Sequence, residues 1–288
     1  MHIRETHFVA KNIHKSRLQE YGVGIFEGIT SKSALKKAIK KKLIWVNGKE
    51  AFTATFISGG EKIEYLVDTQ TPSKRLKLSL QVIFEDEYLA VINKPAGILV
   101  SGNKFLTIAN ALPQNLKISR AKDAVDPQPV HRLDYETTGL LLVGKTNSAI
   151  VALNQMFKNR AIKKTYLAVT IGEMRENGHI SLPIDNKVAS SSFSVIQSTL
   201  SDRFTYLNLV ELQPQTGRRH QLRKHLYAIG NPILGDKLYF KDNLQLRGKG
   251  LYLHAYSLQF QHPISNNTMN FKAILPKKFY NIFPEFEL

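Results

Sequence analysis

The 288-residue chain contains no cysteine. That absence excludes disulfide frameworks, thiolate nucleophiles, iron–sulfur clusters and cysteine-ligated zinc, and it suits a reducing compartment. Acidic side chains are scarce beside basic ones: 23 Asp and Glu stand against 40 Lys and Arg, a formal charge of +17. No apolar run approaches the roughly 18 residues that cross a bilayer. The opening residues Met1 to Thr6 also lack the hydrophobic stretch of a secretion signal. A soluble, cytoplasmic protein with no membrane partner is expected. What is present is a hydrophobic content of 43%, enough for ordinary buried cores, so disorder is excluded as the main state. The basic excess predicts a polyanionic partner, because each phosphate neutralised releases a condensed counterion. Nucleic acid ranks ahead of an anionic membrane surface, and solvated lysine faces are the plain alternative.

Basic charge is most focused near the amino terminus. Of 12 basic side chains in residues 1–70, six are lysines between Lys32 and Lys42. Ser31 and Ser33 offer hydroxyl caps. Ala34, Leu35, Ala38 and Ile39 recur at helical spacing, which leaves Lys36, Lys37, Lys40 and Lys41 on the other faces. The spacing predicts a short amphipathic helix with a basic exterior. Asn47-Gly48 between the apolar runs 43–46 and 51–57 predicts a hairpin, and Ser58-Gly59-Gly60 a turn into a strand over 63–67. Asp68 to Lys74 has the polar, proline-containing composition of a linker. The expected organisation is a small α+β domain over 1–70, a linker over 71–77 and a second domain over 78–288.

In that second domain short apolar runs predominate, at 81–84, 88–92, 140–143, 166–171, 204–212 and 251–260. Two helices stand out, at 150–158 and 218–229. The pattern predicts an α+β domain built on a mostly antiparallel sheet.

Three polar segments hold the candidate chemistry. Pro129 to Gly139 reads as a loop anchored by the apolar run that follows it. Asp134, two residues from Arg132, would stay ionised beside the cation; equally, it would serve as a turn residue bonding its own backbone, with Thr137 or Thr138 as cap. Between Pro214 and Pro232, Leu222, Leu226 and Ile229 form an apolar stripe with Arg219 and Arg223 beside it. Guanidinium groups there need an anion, for which Asp134 is a candidate, or must snorkel to solvent. In the strand-like stretch Lys163 to Gly172, Tyr166 points away from the face of Leu167, Val169 and Ile171. There it either stacks on an unpaired base or packs as an ordinary aromatic.

As an ordered set, Asn93-Lys94-Pro95-Ala96-Gly97, His131-Arg132-Leu133-Asp134, Thr137-Thr138-Gly139, Thr216-Gly217-Arg218 and His220-Gln221-Leu222-Arg223 resemble the motifs of the RluA-type family of RNA pseudouridine synthases, over residues 80–280. Thr138 and Arg219 depart from the pattern, standing where the family more often has serine and a small hydroxyl residue. Ahead of this, residues 14–67 resemble the small RNA-binding domain of ribosomal protein S-four, through Arg17-Leu18, the basic helix, the Val46 to Lys49 hairpin and Gly59-Gly60. The resemblance implies isomerisation of uridine in structured RNA, with large-subunit ribosomal RNA foremost and transfer RNA as the alternative; oligomeric state is open, with a monomer as the default. Uridine's glycosidic bond breaks at nitrogen and re-forms at carbon 5 without net redox change, so no cofactor is expected.

By the same resemblance Asp134 is the covalent nucleophile, attacking either the uracil ring or the anomeric carbon. Arg223 is its basic partner, and Tyr166 stacks on the uracil and handles a proton. A target inside a helix must be flipped out, and Arg132 matches the residue that fills the vacated space. His131, Thr138, Arg218, Arg219 and His220 are expected substrate contacts, and Lys36, Lys37 and Lys40 expected RNA contacts of the first domain. His131, His220, His225, His254 and His262 invite a metal reading, but His220 and His225 sit five apart, on different sides of a helix, and no metal is expected. Two other classes share some of these features. A non-enzymatic RNA-binding or ribosome-assembly factor would share the charge, yet it would not demand Asp134, Tyr166 and Arg223 together. A glycoside or nucleoside hydrolase using Asp134 would pair two carboxylates, with Glu136 the nearest second one.

Overall fold

The computed structural model describes residues 2–26, 29, 31–67, 76–240, 243–246 and 248–286. The chain divides into two compact units, Met1–Ser73 and Lys74–Leu288. Most of the expected linker, 71–75, lies outside the described residues. Among the described residues no helix is long and apolar enough to cross a membrane.

In the first unit four strands pair antiparallel in the order His2–Phe8, Lys62–Val67, Ile44–Val46, Lys49–Glu50. Asn47 and Gly48 have φ of 49° and 74°, the double left-handed geometry that a tight hairpin needs. Only Phe56–Ile57 of the run after the hairpin is strand, paired with Ser16–Arg17. The helix Lys32–Lys40 begins at Ser31, whose hydroxyl accepts the Ala34 N–H at 3.2 Å. It buries Leu35, Ala38 and Ile39 in one cluster with Ile44, Ile57 and Ile63, while Lys32, Lys36, Lys37 and Lys40 stay exposed.

The second unit is an α+β structure on one large sheet. Its main path runs Asn177–Ile180, Ser191–Ser201, Thr205–Pro214, Lys163–Ile171, Leu253–Gln261, Thr138–Thr146, Leu89–Lys94, Gln81–Glu85. Its strand pairings among the described residues are antiparallel except that of Thr138–Thr146 with Leu253–Gln261. Gly139 makes that parallel contact close: its φ is 109°, and a Cβ there would overlap the Ala255 backbone. Strand alternation then sends Leu140 and Leu142 into one core cluster and Leu141 and Val143 into another. Each of these buried side chains contributes about 1.5–3 kcal/mol, so the loop preceding the strand hangs from a rigid base.

The helix Asn147–Lys158 is capped by Thr146, whose hydroxyl accepts the Ala149 N–H at 3.2 Å. The helix Gln221–Ala228 is shorter than the apolar stripe predicts. It ends before Ile229, which is 38% exposed and takes no part in the core. Leu222 and Leu226 alone make the buried stripe.

Candidate active site

One buried cation holds the loop before Thr138–Thr146. Lys94 ends the strand Leu89–Lys94 and has no exposed surface. Its ammonium donates to the carbonyl oxygens of Pro95 at 2.9 Å, Tyr135 at 3.2 Å and Thr137 at 2.8 Å. Three acceptors for three N–H bonds require the protonated amine. Burial pulls its pKa down to about 8, with the Asp134 charge opposing. The Thr137 amide in turn closes onto the Asp134 carbonyl at 3.2 Å. Asp134 therefore sits in a turn fixed at its own backbone and at two neighbouring carbonyls, with its side chain 25% exposed.

Each oxygen of the Asp134 carboxylate faces a different nitrogen. Arg223 Nη1 is 3.6 Å from Oδ2 and His220 Nε2 is 3.8 Å from Oδ1. Both distances exceed a hydrogen bond, so the charge is compensated while the lone pairs remain open to an electrophile. The close anion for Arg223 is a residue that sequence reasoning missed. Arg223 Nε donates to Asp236 Oδ2 at 2.6 Å and Nη2 donates to Oδ1 at 2.7 Å, which makes Asp134 its second partner. Burial works against the arginine's charge, but Asp236, then Asp134 and Glu136, outweigh it and raise its pKa. Asp236 also accepts the amides of Leu238 at 2.9 Å and Tyr239 at 3.0 Å.

Asp134, Tyr166 and Arg223 share a cleft of about 1110 Å³, larger than the about 300–1,000 Å³ of small-molecule pockets. Burial and the Asp134 charge push the Tyr166 phenol pKa up, so it is neutral. Gln221 braces the facing loop, accepting from the Thr216 hydroxyl at 2.6 Å and the Arg218 amide at 3.0 Å. Arg132 and Arg218 lie exposed at the cleft, as does the basic wall Lys158, Arg160 and Lys163, with Lys164 half-buried beside it. The density of basic residues in 158–164 is the sequence signal that marks that wall.

His131 lines the cleft as scaffold: its Nε2 accepts the Leu142 N–H at 3.0 Å, and burial, followed by the Lys164 charge, lowers its pKa to about 3. Two expected contacts lie away from this cleft. Thr138 faces a separate cavity of about 480 Å³, its hydroxyl 2.7 Å from His254 Nδ1, because strand geometry turns it away from Thr137. Arg219 stands exposed on the turn ahead of the helix and does not line the cleft. His225 is spoken for by Ser191 at 3.1 Å and the Leu182 carbonyl at 3.0 Å.

Residues 88–228 match the family model described as RNA pseudouridylate synthase. The chain is 32% identical to a ribosomal large subunit pseudouridine synthase C of Rickettsia felis, over 94% of this chain and 96% of that one. The chain belongs to the RluA-type family of RNA pseudouridine synthases. It is an isomerase by that membership. A ribosomal large subunit pseudouridine synthase D of Nitrosomonas europaea is 31% identical, over 85% of this chain and 77% of that one. The solved structure of human RNA pseudouridylate synthase domain containing 4 matches with a TM-score of 0.57 at 28% identity, covering 69% of this chain and 90% of that one. The pseudouridine synthase match includes Asp134, Tyr166 and Arg223 and stops short of Asp236 and Tyr239.

Proposed function

We propose that this pseudouridine synthase modifies uridine in structured large-subunit ribosomal RNA, in the cytoplasm, with Asp134 as nucleophile. One arrangement carries the proposal: the Asp134 carboxylate held between His220 and Arg223 in a cleft it shares with Tyr166. The two curated relatives described above are named for the ribosomal large subunit, which favours that RNA over transfer RNA.

The target uridine is extruded from its helix at a cost of a few kcal/mol. Arg132, exposed at the cleft, takes the vacated position, and Tyr166 stacks on the uracil. The bond from the anomeric carbon to N1 breaks while Asp134 bonds covalently, to the anomeric carbon or to the ring. The uracil turns, carbon 5 bonds to the anomeric carbon, carbon 5 gives up its proton, N1 gains one, and the carboxylate is released. Atoms and electrons balance with no oxidant or reductant. The basic wall from Lys158 to Lys164 suits the flanking phosphates, and the exposed lysines of the first unit suit further RNA.

A two-carboxylate hydrolase fits poorly. Glu136 does not line the cleft; its carboxylate faces Lys237 Nζ at 3.3 Å and Arg223 Nη2 at 3.9 Å. The test is Asp134→Ala, which should abolish pseudouridine formation on ribosomal RNA while leaving RNA affinity within a few fold. Retained turnover would end the nucleophile assignment, and ribosomal RNA whose pseudouridines are unchanged when the gene is deleted would end the choice of substrate.

A further inference from the structure

Tyr239 lies outside the motifs above, yet it touches three members of the site at once. Its hydroxyl is 3.0 Å from His220 Nδ1. Its ring centroid is 5.2 Å from the Arg223 guanidinium carbon. Its backbone amide donates at 3.0 Å to the Asp236 carboxylate that grips Arg223. His220 and Arg223 are the two groups facing the two oxygens of Asp134. We propose that Tyr239 is a positioning residue for the isomerisation: its hydroxyl fixes His220 as the tautomer with the proton on Nε2, aimed at Asp134, while its ring seats Arg223 at the other oxygen. The inference rests on Asp134 being the nucleophile.

The tautomer follows from elementary complementarity. A carboxylate only accepts, so the imidazole nitrogen facing Oδ1 is stable as N–H, whereas a lone pair there would be repelled. A neutral imidazole has one such proton. With it on Nε2, Nδ1 is the acceptor, and the Tyr239 hydroxyl donates to it. Burial above all, helped by Arg223 and Arg219 and opposed by Asp134 and Asp236, depresses the His220 pKa and favours the neutral ring. The His220 backbone is left-handed, with φ 55° and ψ 27°, a conformation uncommon outside glycine that persists where the surroundings over-determine it. At 3.8 Å the imidazole orients the carboxylate without taking up a lone pair.

Tyr239→Phe removes the hydroxyl alone and keeps the ring. Turnover of ribosomal RNA should fall about five- to tenfold, the scale of one net hydrogen bond, with KM within about twofold and the melting temperature lowered by no more than a few degrees. Because the hydroxyl acts through His220, Tyr239→Phe combined with His220→Gln should be no slower than His220→Gln alone. Nitrogen NMR of the ring should show Nε2–H in the native enzyme and lose that preference in Tyr239→Phe. Native turnover in Tyr239→Phe, additive losses in the double variant, or an Nδ1–H ring in the native enzyme would each overturn the assignment. If Asp134→Ala is inactive while Tyr239→Phe is unaffected, the nucleophile stands and Tyr239 alone is misassigned. If Asp134→Ala stays active, the nucleophile reading fails, and the ring tautomer still judges the Tyr239–His220 bond.

Discussion

Arg223 and Asp236 lie guanidinium to carboxylate through hydrogen bonds of 2.6 and 2.7 Å, with side chains 3% and 0% exposed. The arginine that faces Asp134, the proposed nucleophile, is therefore anchored from behind. Without that anchor it would be free to close the 3.6 Å gap and occupy a lone pair of the Asp134 oxygen proposed to attack. Removing one partner of a buried ion pair costs about 3–5 kcal/mol. Asp134 and Glu136 remain within 3.6 and 3.9 Å, so Asp236→Ala should destabilise the protein at the low end, by about 3 kcal/mol, and reduce kcat even in the folded fraction. Chemical denaturation and single-turnover kinetics on ribosomal RNA read the two effects separately. A variant with native stability and native kcat would show that Arg223 needs no rear partner.

Asp134, Tyr166 and Arg223 are legible in the sequence because an ordered set of polar residues interrupts apolar strands at fixed places, and the structure brings all three into one cleft. Asp236 is not, since an aspartate that accepts the amides two and three residues on looks like any turn residue. Its second task, on an arginine 13 positions earlier, leaves no periodic trace. The placement of Thr138 is not legible either. It belongs to the same motif as Thr137, but adjacent residues at a strand's start face opposite sides, and only Thr137 reaches the cleft. The apolar spacing overstates the helix; with its ends at Gln221 and Ala228, Arg219 and Ile229 both fall outside it and meet solvent. The Asn47-Gly48 hairpin and the basic helix are readable because both are set by short-range backbone chemistry.

Two histidines, His131 half-buried and His254 buried, make stability depend on acid. His131 and His254 are held neutral by burial, with pKa values lowered to about 3 and about 4 against the ordinary 6.5. Between those values the unfolded chain binds protons that the folded chain refuses. Their contribution is thus complete above pH 6.5 and is lost as pH falls, by about 1.4 kcal/mol per pH unit for each ring. Protonating His131 would also set an N–H against the Leu142 N–H that its Nε2 now accepts. His131→Gln keeps an acceptor and does not titrate, so its urea midpoint should fall less between pH 6.5 and 5 than that of the native protein. Parallel pH dependences in the two proteins would remove His131 from this account.

On the helix Lys32–Lys40, Lys32 already faces Glu20 at 2.5 Å, and beyond its end Lys42 faces Glu50 at 3.1 Å. Lys36, Lys37 and Lys40 are exposed and point away from the buried Leu35, Ala38 and Ile39. They are the exposed lysines of this helix that the proposed RNA contact would use to release counterions. Changing all three to Gln keeps helix propensity and should leave stability within about 1.5 kcal/mol, since each exposed substitution usually stays within about 0.5 kcal/mol. Each phosphate that is no longer neutralised lowers the slope of log affinity against log salt by about 0.7–0.9, so the triple variant of the full chain should bind ribosomal RNA more weakly with a slope flatter by about two. Binding isotherms between about 50 and 200 mM salt, where such slopes are well resolved, decide the matter. Weaker binding with an undiminished slope would mean that the lysines act through something other than phosphate, and an unchanged affinity would mean that this face does not meet the RNA.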